Sequence, residues 1–186
     1  MVKAIKIANE LYKHYKSLNE DIPNINNGGC GAFAEHLYLT LVKLGLKPTL
    51  AVATNNILAM EYRIKAWRLF GEKAECTYQM RLNNDYPENY FNYERYYGYA
   101  IIAHIIILLD GKFIDSSGVY SKFKTLQVKG RYEKGLYEGL PIEVLKAWND
   151  KGTFWNNDFN RQHIKTIEKK LEVCYNKVKK SLVVSK

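Results

Sequence analysis

No stretch of this chain has the roughly 18 consecutive apolar residues that a membrane-spanning helix needs, so no membrane partner is expected. No secretory leader is expected, because Met1-Val2-Lys3-Ala4-Ile5-Lys6 reads as a charged, amphipathic segment. Cysteine is scarce. Three residues, an odd number at wide spacing (Cys30, Cys76 and Cys174), do not make a disulfide framework, which places the chain in a reducing cytoplasm. No Cys-x-x-Cys or His-x-x-x-His spacing occurs. Cys30, His36, Cys76 and His104 could be gathered only on paper, and neither a metal nor a cofactor is expected. Low-complexity tracts, internal repeats and linkers are also missing. With 186 residues and 47% hydrophobic content, one domain spanning 1–186 with a sizeable core is expected.

Acidic residues are outnumbered, leaving a net charge of +9. Much of the excess is C-terminal, where Arg161, Lys165, Lys169, Lys170, Lys177, Lys179, Lys180 and Lys186 face only Glu168 and Glu172. Such a run is first a solvated helix face, and second a surface for an acidic partner such as nucleic acid. No recognised nucleic-acid motif accompanies it. The abundance of Lys, Asn, Ile and Tyr fits AT-rich coding, as in many bacteria and phages.

Apolar residues at helical spacing predict helices over 3–17 (Ile5, Ala8, Leu11, Tyr12, Tyr15) and 30–44 (Phe33, Ala34, Leu37, Tyr38, Leu41, Leu44), the second stopped by Gly45. A third covers 57–73 with Ile57, Met60, Ile64, Trp67 and Phe70 inward. Pro141 opens a further helix as its first residue, and a long basic helix covers 160–180. Strands are expected at 48–54, 99–109, 112–115 and 122–128. The almost continuously apolar 99–109 run belongs at the sheet centre. Tyrosines crowd residues 74–99, as a cleft wall or as an ordinary packed loop.

The chemistry concentrates at Gly28-Gly29-Cys30-Gly31, directly before the 30–44 helix. A thiol at a helix N-terminus meets the positive end of the macrodipole and unpaired N–H groups, which favour thiolate. Glycines permit a tight turn and leave room for a substrate. Farther on, Asp110-Gly111 joins two strands in a hairpin that brings His104 and Asp115 together. Nucleophile, base and orienter follow in that order. The Cys30 backbone N–H, with Asn26 or Asn27, would receive the oxyanion.

Each residue also has a plainer explanation. Lone cysteines are commonly small buried hydrophobes, which suffices for Cys76 and Cys174. His104 alone could be a satisfied core histidine, and Asp115 could simply cap the Ser116-Ser117-Gly118 turn. The Asp-Gly turn accounts for Asp110. His36 lies nearly on the far side of the helix from Cys30, and His14 and His163 fall on surface helices.

At these residues the chain resembles the papain-like superfamily, and within it the transglutaminase-like branch. Gly28 to Ala34 is similar to that branch's Gly-x-Cys-x-x-Phe-Ala motif. His104 with Asp110-Gly111-Lys112-Phe113-Ile114-Asp115 is similar to its His strand and Asp-Gly-Lys-aromatic-x-x-Asp strand, one residue shorter here. The resemblance covers roughly 26–54 and 99–118. It implies an α+β fold in which N-terminal helices, including the nucleophile helix, pack on a central antiparallel sheet, with helices at the C-terminal end. Arylamine N-acetyltransferases are similar as well, through Gly28-Gly29-Cys30, Leu44-Gly45-Leu46, His104 and Asp115-Ser116-Ser117-Gly118. Their Arg before the glycines and the residue between Gly29 and Cys30 are missing here.

The expected function is a cysteine-dependent hydrolase or transferase acting on an amide, peptide or isopeptide bond through a Cys30 thioester. Its substrates would be a protein, a peptide or a small amide or thioester. The alternatives are an N-acyltransferase using an acyl-coenzyme A donor, and a non-catalytic binding or nucleic-acid-associated protein on the same fold.

Overall fold

The computed structural model describes residues 2–22, 25, 28–71, 102–122, 135–151 and 159–184. Expectations for Asn26, Asn27, Cys76 and the Tyr-rich segment fall outside these residues, as does the 122–128 strand beyond Lys122. The described chain is α+β. Its helices are α1 (Val2–Tyr15), the short α2 (Leu18–Asp21), α3 (Cys30–Lys43), α4 (Ile57–Phe70), α5 (Ile142–Asp150) and α6 (Arg161–Val184). Its strands are β1 (Thr49–Thr54), β2 (Ile102–Leu109), β3 (Lys112–Asp115), β4 (Gly118–Tyr120) and β5 (Gly135–Glu138). They form one antiparallel sheet in the order β4-β3-β2-β1-β5.

The apolar run 105–109 occupies the central strand, as its lack of alternation requires. One face of β2, with Ile105, Ile107 and Leu109, joins the main core together with Leu50, Val52 and Ile114. The other face buries Ala51 and Ile106 beside Leu108, Phe113 and Leu136. Helix α3 contacts β1, β2 and β3, and also α5 and α6. It is therefore buried on several sides, with Phe33, Ala34, Leu37 and Leu41 each at most 2% exposed.

Local chemistry sets the element ends. Gly45 adopts φ +76°, its N–H donates to Val42 O (2.9 Å) and Leu46 N–H donates to Leu41 O (3.1 Å). This pairing of a left-handed glycine with two backward bonds satisfies the last carbonyls of α3. Asn56 Oδ1 accepts from Ala59 N–H (3.0 Å) and caps α4. Pro141 is the N-cap of α5, not its first residue as expected. On α4, Met60 and Ile64 are buried as expected, but Ile57 and Phe70 are exposed, and Ala59 and Ala66 take inward positions. On α1 the buried stripe is Ala4, Ile7, Ala8, Leu11 and Tyr15, leaving Ile5 and Tyr12 at its margin.

Candidate active site

The β2–β3 hairpin turns at Asp110 (φ 49°) and Gly111 (φ 73°), the two left-handed residues of a tight hairpin turn. Its ladder pairs Leu109 with Lys112, Leu108 with Phe113 and Ile107 with Ile114. Extending that register sets His104 opposite Ser117, which makes Asp115 its diagonal neighbour on the same face. His104 Nε2–H donates to Asp115 Oδ2 at 3.2 Å, with both side chains buried. Asp115 Oδ1 accepts from Ser117 N–H (2.7 Å) and Gly118 N–H (3.1 Å). Asp115 thus caps the turn with one oxygen and holds the imidazole with the other.

A bulge adjusts the histidine. Ala53 pairs with His104 but Thr54 pairs with Ile102, so Ala103 is an extra residue in β2. Bulges locally re-aim side chains, and this one immediately precedes His104.

Cys30, the first residue of α3, reaches the place where β3 departs. The β2–β3 ladder ends at Ile107, and Ile105 lies two residues past that end. The Ile105 N–H donates to the Cys30 sulfur, as do the Gly31 N–H and the His104 ring. Since Asp115 holds Nε2, the ring nitrogen left for the thiol is Nδ1. Burial pushes the Cys30 thiol up, but the His104 hydrogen bond and charge and the two backbone donors outweigh it. The net displacement is downward. Burial likewise opposes charge on His104, yet hydrogen bonds to Asp115 and Cys30 and their charges raise it to about 10. Both directions favour a thiolate–imidazolium pair.

Comparison with protein-family models, with curated proteins and with solved structures finds no match. The chemistry of the site therefore rests on its own geometry.

The Asp115 turn is anchored from the N-terminal helices. Tyr15 O–H donates to the Asp115 carbonyl (3.1 Å), and burial, then the Asp115 charge, keeps this phenol protonated. Asn19 Nδ2 donates to the Ser116 carbonyl, and Ser116 Oγ–H donates to Asn19 Oδ1, each at 2.7 Å. The sequence marks Tyr15 only as a residue of an apolar helix face, and nothing marks Asn19, because its partner lies 97 positions away. Asn19→Ala is expected to cost about 1–3 kcal/mol through the loss of its two hydrogen bonds to Ser116, measured by urea denaturation. It is also expected to move the alkylation profile of Cys30 to higher pH, because a mobile Asp115 holds His104 less well.

Of the two roles expected for the glycines before Cys30, room for a substrate does not hold at Gly29, whereas a tight turn fits Gly28. A Cβ on Gly29 would lie 2.5 Å from the Phe159 ring and 3.0 Å from the Ile25 backbone. The space is thus taken by Phe159, not by substrate. Gly28 adopts φ +117°, which other residues rarely tolerate. Phe159 is followed by the N-terminal cap of α6. There Asn160 Oδ1 accepts from Gln162 and His163 N–H, while Asn160 N–H donates to His163 Nδ1 (3.3 Å). His163 thus completes a reciprocal cap, a role the sequence left blank. His14 pairs with Glu10 (3.7 Å), and Cys174 is a buried core residue.

Proposed function

We propose that the chain is a cysteine-dependent hydrolase or transferase for an amide, peptide or isopeptide bond, on a papain- or transglutaminase-like plan. One observation carries this reading: Cys30 begins α3 against a histidine that a carboxylate, itself held by two backbone N–H groups, keeps in place, and this contact lowers the thiol despite its burial. A structural cysteine in an apolar core moves the other way, as Cys174 does.

The Cys30 thiolate attacks the carbonyl carbon, and the C=O electron pair moves onto oxygen. When that pair returns, the C–N bond breaks and the imidazolium of His104 gives its proton to the leaving amine. This leaves a Cys30 thioester and a neutral imidazole. Water or an acceptor amine then attacks while His104 takes its proton, the C–S bond breaks, and the thiolate–imidazolium pair is restored. Asp115 stabilises the imidazolium and fixes its orientation. The Cys30 N–H, which α3 cannot pair within itself, suits the oxyanion, with the Asn26 or Asn27 amide as the second donor.

The test is the pH dependence of Cys30 alkylation by iodoacetamide, read by mass spectrometry. Reaction should persist well below the roughly 8.5 of a free thiol. Titration as an ordinary thiol, or inertness at every pH, would count against the enzyme. Incubation with acyl-coenzyme A and with peptide amides would then show, from the adduct mass on Cys30, which donor acylates it.

A further inference from the structure

Away from Cys30, a groove of about 460 Å³ runs between α1–α2 and the basic face of α6. Its α6 wall carries Lys165, Lys169, Lys170 and Lys177. Lys169 follows Lys165 by about one helical turn, Lys170 is adjacent to it, and Lys177 lies about two turns farther, over about 18 Å of helix at 1.5 Å per residue. Lys165, Lys169 and Lys177 are exposed and make no salt bridge to a carboxylate among the described residues. Lys170 Nζ donates to Ser17 Oγ (2.9 Å), which ties it to the opposite wall. The opposing acid is Asp21, whose Oδ2 accepts from Ser17 Oγ–H (3.3 Å). Among the described residues, one carboxylate against four ammonium groups makes the groove strongly positive.

We propose that this groove binds the phosphate backbone of a nucleic acid without regard to sequence. Three features favour that occupant over an acidic peptide. Lysines act as point charges suited to phosphate oxygens, and the groove has no arginine fork to match a carboxylate. Gln162 and Thr166, beside the lysines, add neutral donors of the kind that position a phosphate chain. Among the described residues no Phe, Tyr or Trp lines the groove, and His14 is its one ring, so it offers mainly cation contacts to the backbone and little platform for bases. The net charge of +9 adds long-range attraction for a polyanion. The proposal does not depend on the chemistry of Cys30.

The experiment is a fluorescence-anisotropy titration of the full chain, with a labelled oligothymidylate and a labelled random-sequence duplex, across a range of salt. Four lysine contacts give a log–log salt slope of about −2.8 for the single strand and about −3.6 for the duplex. Lys169→Gln with Lys177→Gln is expected to flatten these by about 1.4 and 1.8 respectively, whatever the sequence. Lys179→Gln with Lys180→Gln removes the same charge from α6 outside the groove and is expected to change the slope far less. Equal losses in the two double variants would overturn the groove as the site. Absence of binding at low salt, or displacement by poly-glutamate at equal charge concentration, would overturn nucleic acid as the occupant.

Discussion

With His104→Ala, Cys30 stops reacting as a thiolate at neutral pH, and turnover of any acyl substrate falls by about 10²–10⁴-fold, the usual contribution of a positioned acid–base group. The reason lies in the balance of effects on the thiol. Burial raises it, and among the described residues His104 provides both the largest opposing hydrogen bond and the opposing side-chain charge. The Ile105 and Gly31 N–H groups remain in the variant, but they are the smaller contributors. Alkylation at pH 6 should therefore fall by about tenfold or more, since each unit of upward displacement removes tenfold of the thiolate. Unchanged reactivity in His104→Ala would show that the helix terminus alone activates Cys30.

The same pair shapes stability against pH. A raised His104 contributes fully below its unfolded value of roughly 6.5 and loses that contribution as pH rises toward about 10. A lowered Cys30 contributes fully above roughly 8.5 and loses that contribution as pH falls through its folded value. Between roughly 6.5 and 8.5 the two trends cancel, because the folded pair and the unfolded chain each hold one proton. Stability from this pair is then flat across neutrality and falls toward both sides, by up to about 1.4 kcal/mol per pH unit for one proton. Denaturation of the parent and of Cys30→Ser across pH separates the two parts: the variant should lack the fall on the acid side and, because Asp115 still raises His104, should lose stability from roughly 6.5 upward instead of staying flat across neutrality.

Phe33→Ala is the substitution expected to cost most stability, about 3–5 kcal/mol. Phe33 lies one turn into α3, 2% exposed, in edge-to-face contact with Tyr15 (centroids 5.2 Å, 64°). Truncation opens a cavity where α3 meets α1 and removes support from the tyrosine that holds the Asp115 carbonyl. For a domain of this size the melting temperature should fall by roughly 6–20 °C. Phe33→Leu should recover part of that loss by refilling the space. A melting temperature unchanged by Phe33→Ala would mean that the ring carries no packing weight at this junction. Phe33 thus couples the helix that begins at Cys30 to the tyrosine that anchors the Asp115 turn.

Several elements were open to reading from local chemistry. Gly45 ends α3, Asp110-Gly111 turns the hairpin, and the unbroken apolar run marks the central strand. The hairpin also explains why His104 and Asp115 could be paired in advance, since a two-residue turn fixes which residues lie diagonally across it. Cys30 could be singled out because a glycine frame and a helix start are contiguous in the chain. Other features had no local mark. The short strands Gly118–Tyr120 and Gly135–Glu138 carry too few residues for a period to show, and they are strands only because β3 and β1 offer them edges. The inward side of α4 was misjudged at Ile57 and Phe70 because helical periodicity names an apolar stripe without saying how much of it a neighbour covers.

By itself, then, the sequence determined the presence of the main helices, the stop of α3 at Gly45 and the hairpin turn at Asp110-Gly111, because each depends on residues close together in the chain. Tertiary structure alone decided that the end of β3 leaves the Ile105 N–H to the thiol, that Ala103 bulges before His104, that Phe159 fills the space over Gly29, and that Tyr15 and Asn19 hold the Asp115 turn. Those contacts join positions up to about 130 residues apart. Their partners are chosen by the packing of helices on the sheet, and no spacing within either segment records that choice.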